Sequence, residues 1–304
     1  MCVTAGKHAH LTESWRPRHS GPHWGKRKPG TLQANMSTYP NPAPRRFAEL
    51  RASEVPIRCS ERSILIQPIA SIEQHGPHLP LATDLMVCEA SAEAAVAQRG
   101  DELDLWLLPP LAYGKSNEHA WAPGTIWLSA QTILAVLDDL GRAIMATPAR
   151  RLVFVNGHGG NTSLLDVACR DLRQKYGLMT FLVHPSVPPD HGGAGHPAER
   201  GMGVHAGLQE TSLILHLRPD LVDMSAARAN VPVYQTSYTY VGFGKPARHG
   251  WLANDFGPSG VIGDPTQATA DLGRDVLAAM VTRLGDTLAE IARFDFEPGG
   301  DAPK

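Results

Sequence analysis

Ligand-type side chains fall in three short blocks of the sequence. The first is Ser71-Ile72-Glu73-Gln74-His75-Gly76-Pro77-His78-Leu79-Pro80, with Asp84 a short way on. The second is Asn156-Gly157-His158-Gly159-Gly160-Asn161, and the third is His205-Ala206-Gly207-Leu208-Gln209-Glu210-Thr211-Ser212. Singly, a Glu-x-His pair or a histidine after a strand is more readily a hydrogen-bonded structural residue than a ligand. Brought to one rim, His75 and His158 with Glu73, Asp84 and Glu210 would be a cluster of like charge that only cations neutralise. Those carboxylates and a bridging hydroxide balance two dications, and an Asp shared by both would hold them roughly 3.5 to 4 Å apart. Imidazole with carboxylate suits zinc or manganese better than magnesium or copper(I). Water bound between two such ions ionises near neutral pH and can attack a carbonyl carbon. His205, as an unligated imidazole, is the candidate to protonate the departing nitrogen. Gly157, Gly159 and Gly160 around His158 allow a positive φ and a close backbone approach.

The elements that must position these residues alternate in type. Residues 62–70 read as a buried strand, 84–99 as a helix whose N-terminus suits the Asp84 carboxylate, 103–111 as a strand and 130–145 as a helix. Residues 151–156 read as a strand, 163–176 as a helix and 178–184 as a strand; helices follow over 207–217 and 266–293, with irregular chain over 225–263. Strands alternating with helices predict an α/β fold, a mainly parallel sheet flanked by helices on both sides. In such sheets ligands bind beyond the carboxyl ends of strands, where the first two blocks stand.

Length and composition bound the function classes. The 304 residues are 42% hydrophobic, enough for a large core, and 28 Lys+Arg against 30 Asp+Glu leave a net charge of −2. That balance supplies no field for nucleic acid or an anionic membrane, so a small-molecule substrate is expected. Four cysteines, Cys2, Cys59, Cys88 and Cys169, form no C-x-x-C pair, which fits a reducing cytoplasm. Residues 1–47 carry Lys7, Arg16, Arg18, Lys26, Arg27, Lys28, Arg45 and Arg46 against Glu13 alone. They read as a basic, disordered leader, a solvated extension or a stretch upstream of a start at Met36, with an RNA- or membrane-binding arm or a targeting peptide as the rival reading. Residues 48–297 are expected to form one domain and 298–304 a tail.

At these blocks the sequence resembles the creatininase family, from about residue 60 to about residue 293. Glu73-Gln74-His75-Gly76-Pro77-His78-Leu79-Pro80 with Asp84, Asn156 to Asn161 and His205 to Ser212 carry the likeness. Gly260-Val261-Ile262-Gly263-Asp264-Pro265-Thr266 and Pro123-Gly124-Thr125-Ile126 add to it. The resemblance implies a three-layer α/β/α domain, a homohexamer, and two divalent metal ions, both Zn²⁺ or one of them Mn²⁺ or Fe²⁺, that serve hydrolysis of a small or cyclic amide. By the same resemblance Glu73 and His158 bind one ion, His75 binds the other, Asp84 bridges them and His205 is the catalytic acid or base.

Two departures from the family pattern bear on substrate. Creatininases proper have a Glu two residues after the histidine of the second block, where this chain has Gly160, and Glu210 is the candidate to supply the second ion's carboxylate. They also place tryptophans over the substrate shortly before His205, whereas residues 181–204 contain none, so creatinine itself is not expected. Trp121, Trp127 or Trp251 could line the pocket instead, or serve core and interface. Glu118, His119 and His78 are expected to orient ligands or to make loop hydrogen bonds, and His196, Asp190 and Glu199 to touch substrate or face solvent. A peptidase of the mycofactocin-maturation type, a keto-inositol ring hydrolase and a metal-free scaffold are the rival readings.

Overall fold

The six residues of strand β1, Ile64–Ile69, are all buried, because the strand lies inside a sheet covered on both faces. Such a position demands a nearly unbroken apolar run. A computed structural model describes residues 44–186 and 196–296. β1 pairs in parallel with β2 (Leu105–Leu107) on one side and β3 (Arg151–Asn156) on the other, and β3 pairs with β4 (Met179–Val183), giving the order β2-β1-β3-β4.

Helices cover both faces, as the alternation predicts. On one face α3 (Ala130–Ile144) and α4 (Thr162–Tyr176) set Ile133, Leu137, Leu165 and Leu172 against Leu65, Leu152 and Phe154. On the other, α2 (Thr83–Leu103) and α6 (Ala270–Arg293) set Cys88, Ala92, Leu284 and Leu288 against Ile64, Ile66, Val153 and Val155. The result is the three-layer α/β/α arrangement. A short α1 (Val55–Arg58) precedes the sheet, and α5 (Leu208–Leu217) packs on α6. No helix among the described residues is long and apolar enough to cross a membrane.

Several boundaries shift from the sequence reading, and the larger shifts have identifiable causes. β2 is shorter than the expected 103–111, since Leu103 ends α2, Asp104 turns left-handed at φ 52°, and Pro109 and Pro110 lack N–H donors. The last helix starts four residues late because Pro265–Gln267 forms a separate 3₁₀ turn and Thr269 caps α6, accepting from Leu272 N at 3.1 Å. Asp84 does not cap α2; it is the second helical residue, and its carboxylate turns toward histidines.

Of the expected leader, residues 1–43 lie outside the described residues, as do Asp190 and the tail 298–304. Arg45 and Arg46 are anchored on the domain. Arg46 forms a parallel bridge beside Leu107, on the outer edge of β2, and reaches Glu93 at 2.6 Å. Arg45 donates to Asp104 Oδ1 at 2.8 Å and lies over the Trp106 ring at 4.1 Å.

Candidate metal centre

The register of the sheet brings the first two blocks together. Ile69 and Asn156 are partners at the ends of β1 and β3, so the loops that follow leave the sheet side by side. Gly157 N donates to Ile69 O at 2.9 Å. A Cβ on Gly157 would lie 2.6 Å from Cys88 Cβ, so only glycine lets this turn approach α2. Gly157, Gly159 and Gly160 do not adopt a positive φ, contrary to expectation. Close approach explains Gly157 and Gly160, and Gly159 has open space around it. The third block arrives through an antiparallel bridge, His205 to Ile262, with Ala206 held at φ 54° and Ala206 N donating to Glu210 Oε2 at 2.6 Å.

The side chains converge around Asp84. Its Oδ1 lies 3.1 Å from His75 Nε2, and its Oδ2 lies 3.0 Å from His158 Nδ1. Glu73 Oε2 is 3.3 Å from His158 Nδ1, and Glu210 Oε2 is 3.9 Å from His75 Nε2. Each oxygen of Asp84 therefore belongs to a different half of the site, one with His75 and Glu210, the other with His158 and Glu73. Ser71 Oγ donates to Asp84 Oδ2.

Backbone carbonyls set the tautomers. A carbonyl only accepts, so a ring nitrogen bonded to one carries the proton and the other nitrogen keeps its lone pair. His75 Nδ1 donates to Glu73 O at 3.1 Å, His158 Nε2 to Lys115 O at 3.1 Å and His205 Nε2 to Gln74 O at 2.7 Å. The free nitrogens of neutral His75 and His158 thus face carboxylate oxygens across about 3 Å. Two lone pairs at that separation repel unless a proton or a metal cation lies between them.

Titration reflects the same requirement. Burial disfavours the charged form of His75, but Asp84, Glu210 and Glu73 outweigh it and raise its pKa to about 10. His158 is raised despite burial by Glu73, Asp84 and Glu118. Asp84 is held low, because His75 and His158 outweigh the cost of its burial. Burial lifts Glu73 to about 8 against the pull of His158, with Asp84 adding to the rise. Protons here do what divalent cations would do, and Glu73 Oε2, buried without a hydrogen-bond partner among the described residues, fits a ligand atom. Among the described residues three overlapping groups could hold an ion: Glu73 with His75 and Asp84, His75 with His205 and Glu210, and Glu73 with His119 and His205.

His119 belongs closer to the centre than the sequence suggested. Its Nε2 is 3.4 Å from Glu73 Oε1, its Nδ1 accepts from Gln74 Nε2 at 2.8 Å, and its ring lies 4.3 Å from that of His205. Nothing in its local sequence marks it, because its contacts come from the loop after β1 and from residue 205. His205 Nδ1, the free nitrogen, lies 3.7 Å from Glu73 Oε1. Burial, followed by the positive fields of His75 and His119, holds the His205 pKa well below its usual value.

The cluster floors a cavity of about 420 Å³ walled by Lys115, Glu118, His249 and Trp251 among others. Trp251 stands edge-on to His119 at 6.3 Å between ring centres, packed with Phe243 and Phe256. Trp121 and Trp127 are exposed and do not line this cavity. Both ring nitrogens of His249 are buried without a partner among the described residues. His78 lies outside the cluster; its Nε2 is 2.9 Å from Thr211 Oγ1. Glu199 neither faces solvent nor touches the cavity; it is buried, and its Oε1 accepts from Leu208 N at 2.9 Å and Asp264 N at 2.8 Å. His196 accepts from Ala198 N.

The pattern of the creatininase family, described as creatinine amidohydrolase, matches residues 48–288. The chain belongs to the creatininase family. A mycofactocin precursor peptide peptidase of Mycobacterium ulcerans (strain Agy99) is 39% identical over 245 residues, 78% of this chain and 88% of the relative. A creatinine amidohydrolase of Pseudomonas putida is 29% identical over 249 residues, 75% of this chain and 89% of the relative. Two solved creatininases, one titled as a manganese form and one as a mutant of Zn-Zn type, superpose with a TM-score of 0.63 at 25% identity. Each covers 81% of this chain and 98% of its own. The chain is a creatininase-family hydrolase with a candidate metal site.

Proposed function

We propose that this creatininase-family protein cleaves a C–N amide bond with two divalent cations, zinc or one of them manganese or iron, held by Glu73, His75, Asp84, His158 and Glu210. The tautomer pattern carries the reading: lone-pair nitrogens of His75 and His158 face the two oxygens of Asp84. Two cations bound there would lower the pKa of water and polarise the scissile carbonyl. Burial and the neighbouring His75 and His119 hold the His205 pKa below its usual value, and its free Nδ1 would take a proton from water and return it to the departing nitrogen. The carbonyl of Gln74 anchors the opposite nitrogen, so the ring keeps its orientation while the proton moves.

A peptide amide is the favoured substrate. Identity to a peptidase is 39%, against 29% to a creatinine amidohydrolase, and that supports a short peptide over a cyclic lactam. The cavity adds Lys115 and the unpartnered nitrogens of His249, groups that can bind a substrate's polar ends. We further propose a homo-oligomer, a hexamer by family likeness, in which exposed Trp121, Ile126 and Trp127 supply apolar surface. The proposed compartment is the cytoplasm, supported by Cys59, Cys88 and Cys169, all free thiols.

Elemental analysis with a substrate panel tests the reading. About two zinc or manganese ions per chain and hydrolysis of short peptides are expected. A protein that stays metal-free after metal-replete expression overturns it, and cleavage of lactams or keto-inositols alone replaces the peptide assignment.

A further inference from the structure

Gly160 and Glu118 compete for one space. A Cβ built on Gly160 would collide with Glu118 Oε1, His158 Nε2 and Lys115 O. A side chain at 160 and the present position of the Glu118 carboxylate therefore exclude each other. Glu118 sits in the 3₁₀ turn Asn117–His119, on a loop tied to the second block by Lys115 N donating to Asn161 Oδ1 at 2.9 Å. Its side chain is only 12% exposed, which separates it from an ordinary solvated loop carboxylate. Oε1 lies 3.4 Å from His158 Nε2, the nitrogen that donates to Lys115 O. Oε2 is buried with no hydrogen-bond partner among the described residues, and Lys115 Nζ stands 3.6 Å away.

We infer that Glu118 is a positioning residue for the metal centre: its carboxylate fills the space Gly160 leaves open and braces the His158 ring, whose tautomer Lys115 O sets, in its orientation toward Asp84 and Glu73. The inference rests on the metal-centre reading above. A carboxylate behind a ligating imidazole fixes its ring orientation and raises its basicity. Glu118 is thus one of three neighbours, with His158 Nε2 and Lys115 O, that leave no room for a side chain at 160.

Zinc affinity of the full-length chain, measured by competition with a chelating dye, tests the role without reference to turnover. Glu118→Ala should weaken zinc binding about 10- to 100-fold, the usual effect of losing such a partner, and should shift the absorption bands of the cobalt-substituted protein. Glu118→Gln, which keeps an acceptor for His158 Nε2–H, should lose less. Gly160→Ala should weaken binding too, through His158 Nε2 and Lys115 O as well as Glu118. Glu118→Leu, of similar volume without the carboxylate, therefore decides the matter if Glu118→Ala does not fold, and wild-type affinity in it overturns the inference. Wild-type affinity and an unchanged cobalt spectrum in Glu118→Ala or in Gly160→Ala overturn the inference, as do equal losses in the Gln and Ala variants. Those results leave the metal-centre reading intact, whereas a wild-type protein that binds no metal sinks both.

Discussion

The hydroxyl of Ser71 donates to Asp84 Oδ2 across 2.8 Å, tying the chain just beyond β1 to the first turn of α2. Both residues are buried, so the hydrogen bond is shielded from water and fixes which way the carboxylate faces. Asp84→Ala should release both ions and abolish turnover, since each half of the site loses a ligand. Ser71→Ala should weaken metal binding more mildly, about 10- to 100-fold, as an outer partner does. Metal content after dialysis against a chelator reads both, and a fully loaded, active Asp84→Ala protein refutes the bridging role.

His205→Ala separates proton transfer from ligation. As the proton carrier, His205 is expected to leave metal content unchanged when removed while the rate falls roughly 10²- to 10⁴-fold. Two of the three possible ion-holding groups include His205, so loss of metal along with rate would instead mark it as a ligand.

His249 lies on the aromatic segment, 5.6 Å from Phe243 between ring centres, and faces the cavity rather than the metal-ligand cluster. His249→Phe preserves ring packing and removes both nitrogens. It should raise KM for a short peptide roughly 2- to 10-fold, the worth of a hydrogen bond, with metal content unchanged and kcat less affected. Unaltered KM means that the imidazole does not contact substrate.

The described thiols should be slow to react. Burial raises Cys88 from the ordinary 9.0 to about 12 and Cys169 to about 11. Both stay protonated in the folded protein at pH 8, and the thiolate is the reactive form. In the unfolded chain they ionise near pH 9, so their contribution to stability is intact below that pH and is lost as pH climbs toward 11 to 12. Site-resolved alkylation with iodoacetamide should find Cys88 and Cys169 unmodified at pH 8 until denaturant is added, and the melting temperature should fall above pH 9. Rapid labelling of native Cys88 contradicts this.

Local pattern and tertiary context divide the fold cleanly in places. The strand expected over Arg151–Asn156 is β3 residue for residue, because an apolar run buried on two faces has only one reading beside a glycine turn. The helix expected over 130–145 starts as read and ends one residue early, and Ser129 caps it by accepting from Thr132 N. The strand read over 103–111 shrank to Leu105–Leu107 because α2 runs past residue 99 to Leu103, a length that packing against α6 favours and local sequence does not announce. Asp84 shows the limit most clearly: the same carboxylate suits a helix N-terminus locally, yet two histidines and a serine from other loops claim it.

The amino-acid order by itself determined the alternation of strands and helices and placed Glu73, His75, His158 and His205 in loops, and Glu210 at a helix start, that can meet at one sheet edge. Those are consequences of periodicity and of turn chemistry, which act over a few residues. Only the tertiary structure decided which nitrogen of each histidine is free, that His119 joins Glu73 and His205, and that Glu118 fills the space over Gly160. A tautomer is chosen by the carbonyl it donates to, and for His158 and His205 that carbonyl belongs to Lys115 or Gln74, far away along the chain. Distances of that kind exist only after the layers have packed.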